Sequence, residues 1–164
     1  HAIEKNNNKT IEGRLTLRPF PGNLPGLQFT YNFVTGKGNT QSEPDFRLHQ
    51  GFTSFESELV NLTAQYITGK GNSSGDFISD SGKAEDFKGY SFFGELYIPQ
   101  TKFSLFSRYD NFKRGNNTNY KTSSIIGGFC YHYLKKQKAL IDFEYFNDNG
   151  CISRIYELAI EIKF

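Results

Sequence analysis

The sequence predicts an all-β fold, an antiparallel up-and-down transmembrane β-barrel in which each strand pairs with its neighbours along the chain. Apolar and polar residues alternate with a period of two along most of the chain. Aromatic residues make up 16% of the chain although its mean hydropathy is negative. Short turns also alternate with longer polar loops, which is typical of membrane barrels. No apolar run approaches the roughly 18 residues of a membrane helix, so helical spans are excluded.

Two strands are expected near the amino terminus. The first is 12–18 (EGRLTLR), where glycine and leucine alternate with charged residues and threonine. It ends at PFPGNLPG, because proline cannot donate a hydrogen bond to a neighbouring strand. The second is 27–34 (LQFTYNFV), with one apolar and one polar face.

Three hairpins and a closing strand follow. Segments 46–55 and 59–68 turn at 56–58, and segments 88–98 and 102–110 turn at 99–101. Segments 124–134 and 139–146 meet at KKQK, and the closing strand 152–164 follows NDNG. The total is about eight to nine strands in an antiparallel meander, because every predicted pair is adjacent along the chain.

The connections are expected to sort by length to the two ends of the sheet. Long polar loops lie at 36–45, 69–86 and 111–122, with short turns between them. The segment TGKGN occurs at 35–39 and again at 68–72, where two strands enter long loops. These residues are typical of turns rather than of a phosphate-binding loop, since the Walker spacing is missing.

Residues 1–164 are expected to form a single β-barrel domain or the carboxy-terminal part of one. Nine strands would place the two ends of the chain on opposite sides of the membrane, whereas bacterial single-chain barrels have an even strand number. We therefore expect part of a larger barrel, in which residues 1–10 form a loop or a disordered lead-in. The alternative is that one predicted strand is wrong and about eight strands form a complete barrel.

Composition argues against several other classes of function. The net charge is only +2, so no strong electrostatic case for nucleic-acid binding exists. Cys130 and Cys151 form no CxxC or CxxCH motif, so neither a metal site nor another cofactor is expected. The two thiols are either unpaired or an oxidised pair. His49 and His132 accompany no recognisable nucleophile motif, so the chain is not expected to be an enzyme.

Three segments carry a family resemblance: GRLTLRPFPGNLPGLQFTYNFVTGKGN, GELYIPQTKFSLFSRYDNF and the terminal YELAIEIKF. They resemble the carboxy-terminal portion of bacterial outer-membrane porins, especially the group that includes the phosphate-selective porins. The resemblance implies a Gram-negative outer-membrane location, contact with the bilayer and lipopolysaccharide, and assembly as a homotrimer. It also implies that the last strand is the signal read by the outer-membrane assembly machinery. The matching signal residues are Tyr156, Leu158, Ile160, Ile162 and Phe164.

Assigning the polar face to the barrel lumen yields a set of candidate pore-lining residues with segregated charge. Acidic residues gather on the last two strands and basic ones on earlier strands, which predicts a field across the pore. Pairing of these charges across a narrow, plugged lumen is the alternative. The candidates are Arg14, Arg18, Arg47, His49, Glu95, Lys102, Arg108, Asp142, Glu144, Glu157 and Glu161.

The sequence thus predicts an outer-membrane channel for passive diffusion of small hydrophilic or ionic solutes. A non-conducting outer-membrane barrel, acting as a structural sheath or as an adhesin through its long loops, is the first alternative. A soluble, lipocalin-like binding barrel is the second, and it requires the apolar face to point inward.

Overall fold

The computed structural model describes residues 9–79, 81–115, 120–134 and 137–162, and it contains nine β-strands. The strands are β1 (Ile11–Leu17), β2 (Leu27–Lys37), β3 (Asp45–Glu56), β4 (Val60–Lys70), β5 (Asp86–Tyr97), β6 (Phe103–Arg114), β7 (Tyr120–Leu134), β8 (Gln137–Asp148) and β9 (Cys151–Glu161). All nine belong to one sheet, in the order β1 to β9, and every neighbouring pair is antiparallel. The predicted all-β meander is therefore confirmed.

Several strands are longer than the sequence predicts, and they gain length mainly beside the predicted long loops. β6 continues to Arg114 and β7 begins at Tyr120, so most of the predicted loop 111–122 is strand. Polar residues such as Lys113 and Lys121 interrupt the apolar alternation, but the antiparallel ladder continues through them as a cross-strand pair. Polarity at these positions was wrongly interpreted as the start of a loop.

The two ends of the sheet are named here by their connections. The loop end carries the connections 38–44, 71–85 and 149–150 and the adjoining ends of β6 and β7, and the turn end carries 18–26, 57–59 and 98–102 and the adjoining ends of β7 and β8. Short and long connections are not separated between the two ends of the sheet as strictly as predicted. Asn149 and Gly150 form a two-residue turn at the loop end, where both have the positive φ that a tight hairpin requires. The proline-rich segment 18–26 is a longer connection at the turn end.

The sheet is open in the described part of the chain. β1 pairs only with β2 and β9 only with β8, so the two outer strands present unpaired edges. Barrel closure is not observed, and the transmembrane barrel remains a prediction. No helix among the described residues is both long and apolar enough to cross a membrane.

Candidate functional site

The cross-strand register divides the side chains of the sheet into two faces. Residues directly opposite each other in an antiparallel pair share a face, and residues two apart along a strand do too. One face, called the apolar face, carries large apolar side chains on every strand. Its members include Leu15, Leu17, Phe29, Tyr31, Phe33, Leu62, Tyr66, Tyr90, Phe92, Leu96, Phe103, Leu105, Ile125, Phe129, Ile141, Phe143, Tyr156, Leu158 and Ile160.

The apolar face is open, and the opposite, polar face is sheltered. The apolar side chains just named are between 37% and 79% exposed. On the polar face, by contrast, Thr30 is 5%, Glu95 8%, Ser104 0% and Ser124 6% exposed. These polar side chains are therefore shielded from solvent to a greater extent than the large apolar side chains of the opposite face. This distribution is the reverse of that in a water-soluble domain, whose large apolar side chains are mostly buried.

Most of the predicted pore-lining residues lie together on the polar face. This group comprises Arg14, Glu95, Arg108, Asp142, Glu144, Glu157 and Glu161. Arg18 and Lys102 lie just outside the strands at the turn end, next to Leu17 and Phe103. Arg18 Nε donates a hydrogen bond to Gln28 Oε1 over 3.3 Å, which holds its side chain toward the polar face.

Arg47 and His49 were wrongly assigned to the polar face. Arg47 is the cross-strand partner of Thr35, and His49 is the partner of Phe33, so both lie on the apolar face. The His49 ring is held there by Tyr31, whose hydroxyl lies 2.7 Å from His49 Nδ1. The basic wall predicted for the early strands therefore loses Arg47, and the predicted opposition between a basic and an acidic wall is weakened.

The predicted assembly-signal residues lie on the edge strand or just beyond it. Tyr156, Leu158 and Ile160 are exposed on the apolar face of β9, and Ile162 follows the strand and is also exposed. Phe164 lies outside the described residues. Recognition of this segment by an assembly machinery stays a prediction.

A hydrogen-bonded cluster joins three strands of the polar face near the turn end. Ser104 Oγ donates to Glu95 Oε1 over 2.6 Å and lies 2.9 Å from His132 Nε2. Tyr97 OH donates to Glu95 Oε2 over 3.1 Å. Cys130, directly opposite Ser104, is buried beside them. Sequence reasoning named Glu95 and His132 separately but missed Ser104, the small residue through which they are joined.

The cluster contains three potential metal ligands, two of which already contact Ser104. Glu95, Cys130 and His132 place one ligand atom each within 4.8 Å of one another, and oxygen, sulfur and nitrogen are all zinc ligands. Ser104 contacts both Glu95 and His132, so hydrogen bonds already join two of these three side chains. It also differs from a hydrolytic triad, since Glu95 lies 3.6 Å from the same His132 nitrogen that contacts Ser104. Both cysteines are free thiols.

The connection 71–85 folds over the polar face at the loop end. The Phe77 ring packs against Phe87 and Phe112, with ring centroids 6.0 and 6.4 Å away. Arg114 lies over the Phe77 ring at 4.8 Å and forms an ion pair with Glu85 at 3.4 Å. One of the predicted long loops therefore covers part of the predicted lumen surface.

Turn residues fix where this connection leaves β4. Gly71 has a φ of +62°, which favours glycine, and the side chain of Asn72 accepts hydrogen bonds from the backbone N–H groups of Asp76 and Phe77. Asn39 N donates to Ser73 O, so the connections that follow β2 and β4 contact each other. The prediction that TGKGN is turn structure holds only for its last two residues, because residues 35–37 and 68–70 are the ends of β2 and β4.

The middle of the polar face forms a cavity of about 460 Å³ with charged walls. Arg108 forms an ion pair with Asp110 at 2.8 Å, and Ser124 Oγ donates to Glu144 Oε1 over 2.8 Å. On the adjacent edge, half-buried Asp142 lies directly opposite exposed Glu157. Two like charges in a cross-strand pair repel each other, so this edge of the polar face favours cations.

Comparison of the chain with protein-family models, curated proteins and solved structures found no match. Function is therefore inferred from the two faces of the sheet and from the residues they bring together.

We expect Ser104→Ala to destabilise the fold by about 1–3 kcal/mol, because it removes a buried hydroxyl that satisfies Glu95 and His132. Thermal unfolding monitored by circular dichroism in detergent measures the change. Ser107→Ala is the matched control, since Ser107 lies on the same strand but is exposed on the apolar face. Equal effects of the two substitutions would contradict a special role for Ser104.

We expect Phe77→Ala to release the connection 71–85 from the sheet. Loss of the ring's packing should raise local amide hydrogen exchange by about 5- to 30-fold, corresponding to about 1–2 kcal/mol. Hydrogen exchange followed by mass spectrometry measures this, and Phe20→Ala, at an exposed phenylalanine of the turn end, is the control. Unchanged exchange in 71–85 would mean that Phe77 does not anchor the connection.

Proposed function

We propose that this chain forms the wall of an outer-membrane channel for passive diffusion of small hydrophilic or ionic solutes. The observation that carries the proposal is the reversed distribution of exposure. Large apolar side chains are exposed on one face of the sheet, and hydroxyl and carboxyl groups are sheltered on the other. Acyl chains of a bilayer would cover the apolar face, and the sheltered polar face would line a water-filled lumen.

The strand lengths and the sheet edges fit this setting. Strands β2 to β9 have 11 to 15 residues, and a tilted strand needs about 9–11 residues to span the hydrocarbon layer. Unpaired backbone groups are costly in hydrocarbon, so the edges of β1 and β9 would pair in the membrane. They would pair with each other or through further strands.

The charges of the polar face favour passage of cations. Asp142, Glu144 and Glu157 lie together on β8 and β9, and Arg108 is already paired with Asp110. An acidic surface along a narrow aqueous path raises the local concentration of cations. No cofactor is needed for passive transport.

A non-conducting barrel is the second candidate, and the inward-folded connection 71–85 favours it. Phe77 and its aromatic neighbours occupy the polar face at the loop end, where they would narrow or close a lumen. A soluble carrier with an apolar interior is disfavoured, because the apolar side chains lie on the more exposed face. The homotrimer and the assembly machinery remain expectations from the porin resemblance.

Cysteine labelling should separate the two faces in lipid vesicles. In a Cys151→Ser background we expect Ser91→Cys, on the polar face, to react with a charged maleimide. We expect Phe92→Cys, on the apolar face, to be protected from it and to be reached only by a membrane-soluble maleimide. Equal reaction of both positions with the charged reagent would reject the membrane orientation.

Conductance in planar bilayers tests transport directly. We expect the intact protein to give cation-preferring currents, and Asp142→Asn combined with Glu157→Gln to shift the reversal potential toward anions, because two lumen carboxylates are lost. The matched control is Asp45→Asn combined with Asp86→Asn, which removes the same charge from the apolar face. Electrical silence across all voltages would favour the non-conducting barrel.

A further inference from the structure

Three side chains with different metal-ligand atoms meet on the polar face near the turn end, and they come from two strands that are not neighbours. Glu95 lies on β5, and Cys130 and His132 lie on β7, with β6 between them. Ser104 of β6 lies directly opposite both Tyr97 and Cys130, so the three ligands meet around a small residue. The missing CxxC motif predicts no metal site, but that argument covers only ligands that are close in sequence.

The distances among the three ligand atoms are close to those of a tetrahedral zinc site. One oxygen of Glu95, Cys130 Sγ and one nitrogen of His132 all lie within 4.8 Å of one another. Bonds to zinc of about 2.0–2.3 Å place neighbouring ligand atoms about 3.3–3.6 Å apart. Glu95 Oε1 and His132 Nε2 already lie 3.6 Å apart. The other separations need to shorten by up to about 1 Å, which is within the reach of side-chain rotation.

Burial and charge at this position also favour a divalent cation. Glu95 is 8% and Cys130 2% exposed. A carboxylate, a thiolate and a neutral imidazole together carry two negative charges, so a divalent cation leaves no net charge buried. Lys138, a cation that acts electrostatically on Cys130, forms an ion pair with Glu161 at 3.7 Å. His132 is only half-buried, so an ion can enter from its side.

We propose that Glu95, Cys130 and His132 bind a divalent transition-metal cation of the Zn²⁺ type. Sulfur and nitrogen ligands favour Zn²⁺ over Mg²⁺ and Ca²⁺, which prefer oxygen. Binding forms bonds from the metal to Sγ, Nε2 and Oε1, breaks the S–H bond of Cys130 and releases its proton to water. Ser104 gives up its contacts with Glu95 and His132, and water takes the fourth position. The ion joins β5 to β7 across β6, and its binding does not depend on the proposed channel.

Tyr97 is the positioning residue of this site. Its hydroxyl donates to Glu95 Oε2 over 3.1 Å, which leaves Oε1 for the ion. Its ring also packs against His132, with the ring centroids 5.5 Å apart. Groups that orient metal ligands typically contribute about 10- to 100-fold to metal affinity. We expect Tyr97→Phe to weaken binding by about that factor while all three ligands stay in place.

Co²⁺ is the spectroscopic probe, added to the intact chain in detergent with a phosphine reductant. A bond between Co²⁺ and a thiolate gives a charge-transfer band in the near ultraviolet, and Zn²⁺ should remove this band by displacement. We expect the unmodified chain to show the band, Cys130→Ser to lose it and Tyr97→Phe to show it only at higher Co²⁺ concentration. The matched controls are Cys151→Ser and His49→Gln, which change an exposed thiol and an exposed imidazole and should leave the band unchanged.

Absence of the band from the unmodified chain overturns the inference, and so does its loss in Cys151→Ser, which would assign the metal to the exposed thiol. Thermal unfolding is the second readout. Zn²⁺ should raise the unfolding temperature of the unmodified chain and of Cys151→Ser, and not that of Cys130→Ser. The circular dichroism spectrum of Cys130→Ser without metal shows whether its sheet is intact. If that variant does not fold, Tyr97→Phe decides, because unchanged Co²⁺ affinity in it would reject the proposed arrangement.

Discussion

The antiparallel backbone ladder is the interaction on which the rest of this structure depends. Among the described residues the buried apolar side chains are only Phe46, Phe87 and Cys130, so a hydrophobic core of the usual kind contributes little. Hydrogen bonds between strands hold the sheet, and their register decides which side chains share a face. A slip by one residue would turn the exposed apolar side chains of a strand toward the sheltered face. In a lipid environment water does not compete for these backbone groups, which strengthens the ladder.

The sequence predicts the strands well because alternation and turn residues are local signals. All nine predicted strands are present, and the turn at Asn149 and Gly150 is found where the sequence indicates it. Face assignment is not local, and β3 demonstrates the difference. Its alternation of apolar and polar residues is clear, but Phe46 and Phe52 lie on the polar face and Arg47 on the apolar face. The pattern within a strand shows which residues alternate, and only the pairing partners show which set points where.

The same limit explains what sequence reasoning missed in the candidate site. Glu95, Ser104 and His132 come from three strands, and only the register brings them together. Ser104 lies directly opposite Cys130, and both side chains are small. They leave room for the longer side chains of Glu95 and His132 to meet at this point. The packing of the connection 71–85 onto the sheet, by contrast, could have been predicted from a local feature of the sequence. Phe77 is a large apolar residue within a segment of glycine, serine and aspartate, and such a residue tends to find a packing partner.

The two ends of the sheet differ in a way that water alone does not explain. Toward the turn end the apolar face remains apolar up to Leu17, Leu96 and Phe103, while at the loop end it carries Lys88, Lys113 and Lys121 in neighbouring positions. A surface surrounded by water on all sides has no reason to separate these groups along the strand axis. A bilayer does, because its hydrocarbon layer excludes charge and its headgroup layers supply phosphates. The position of Lys88, Lys113 and Lys121 therefore agrees with the proposed membrane setting, in which the loop end would reach a headgroup layer and most of the apolar side chains would contact the hydrocarbon layer.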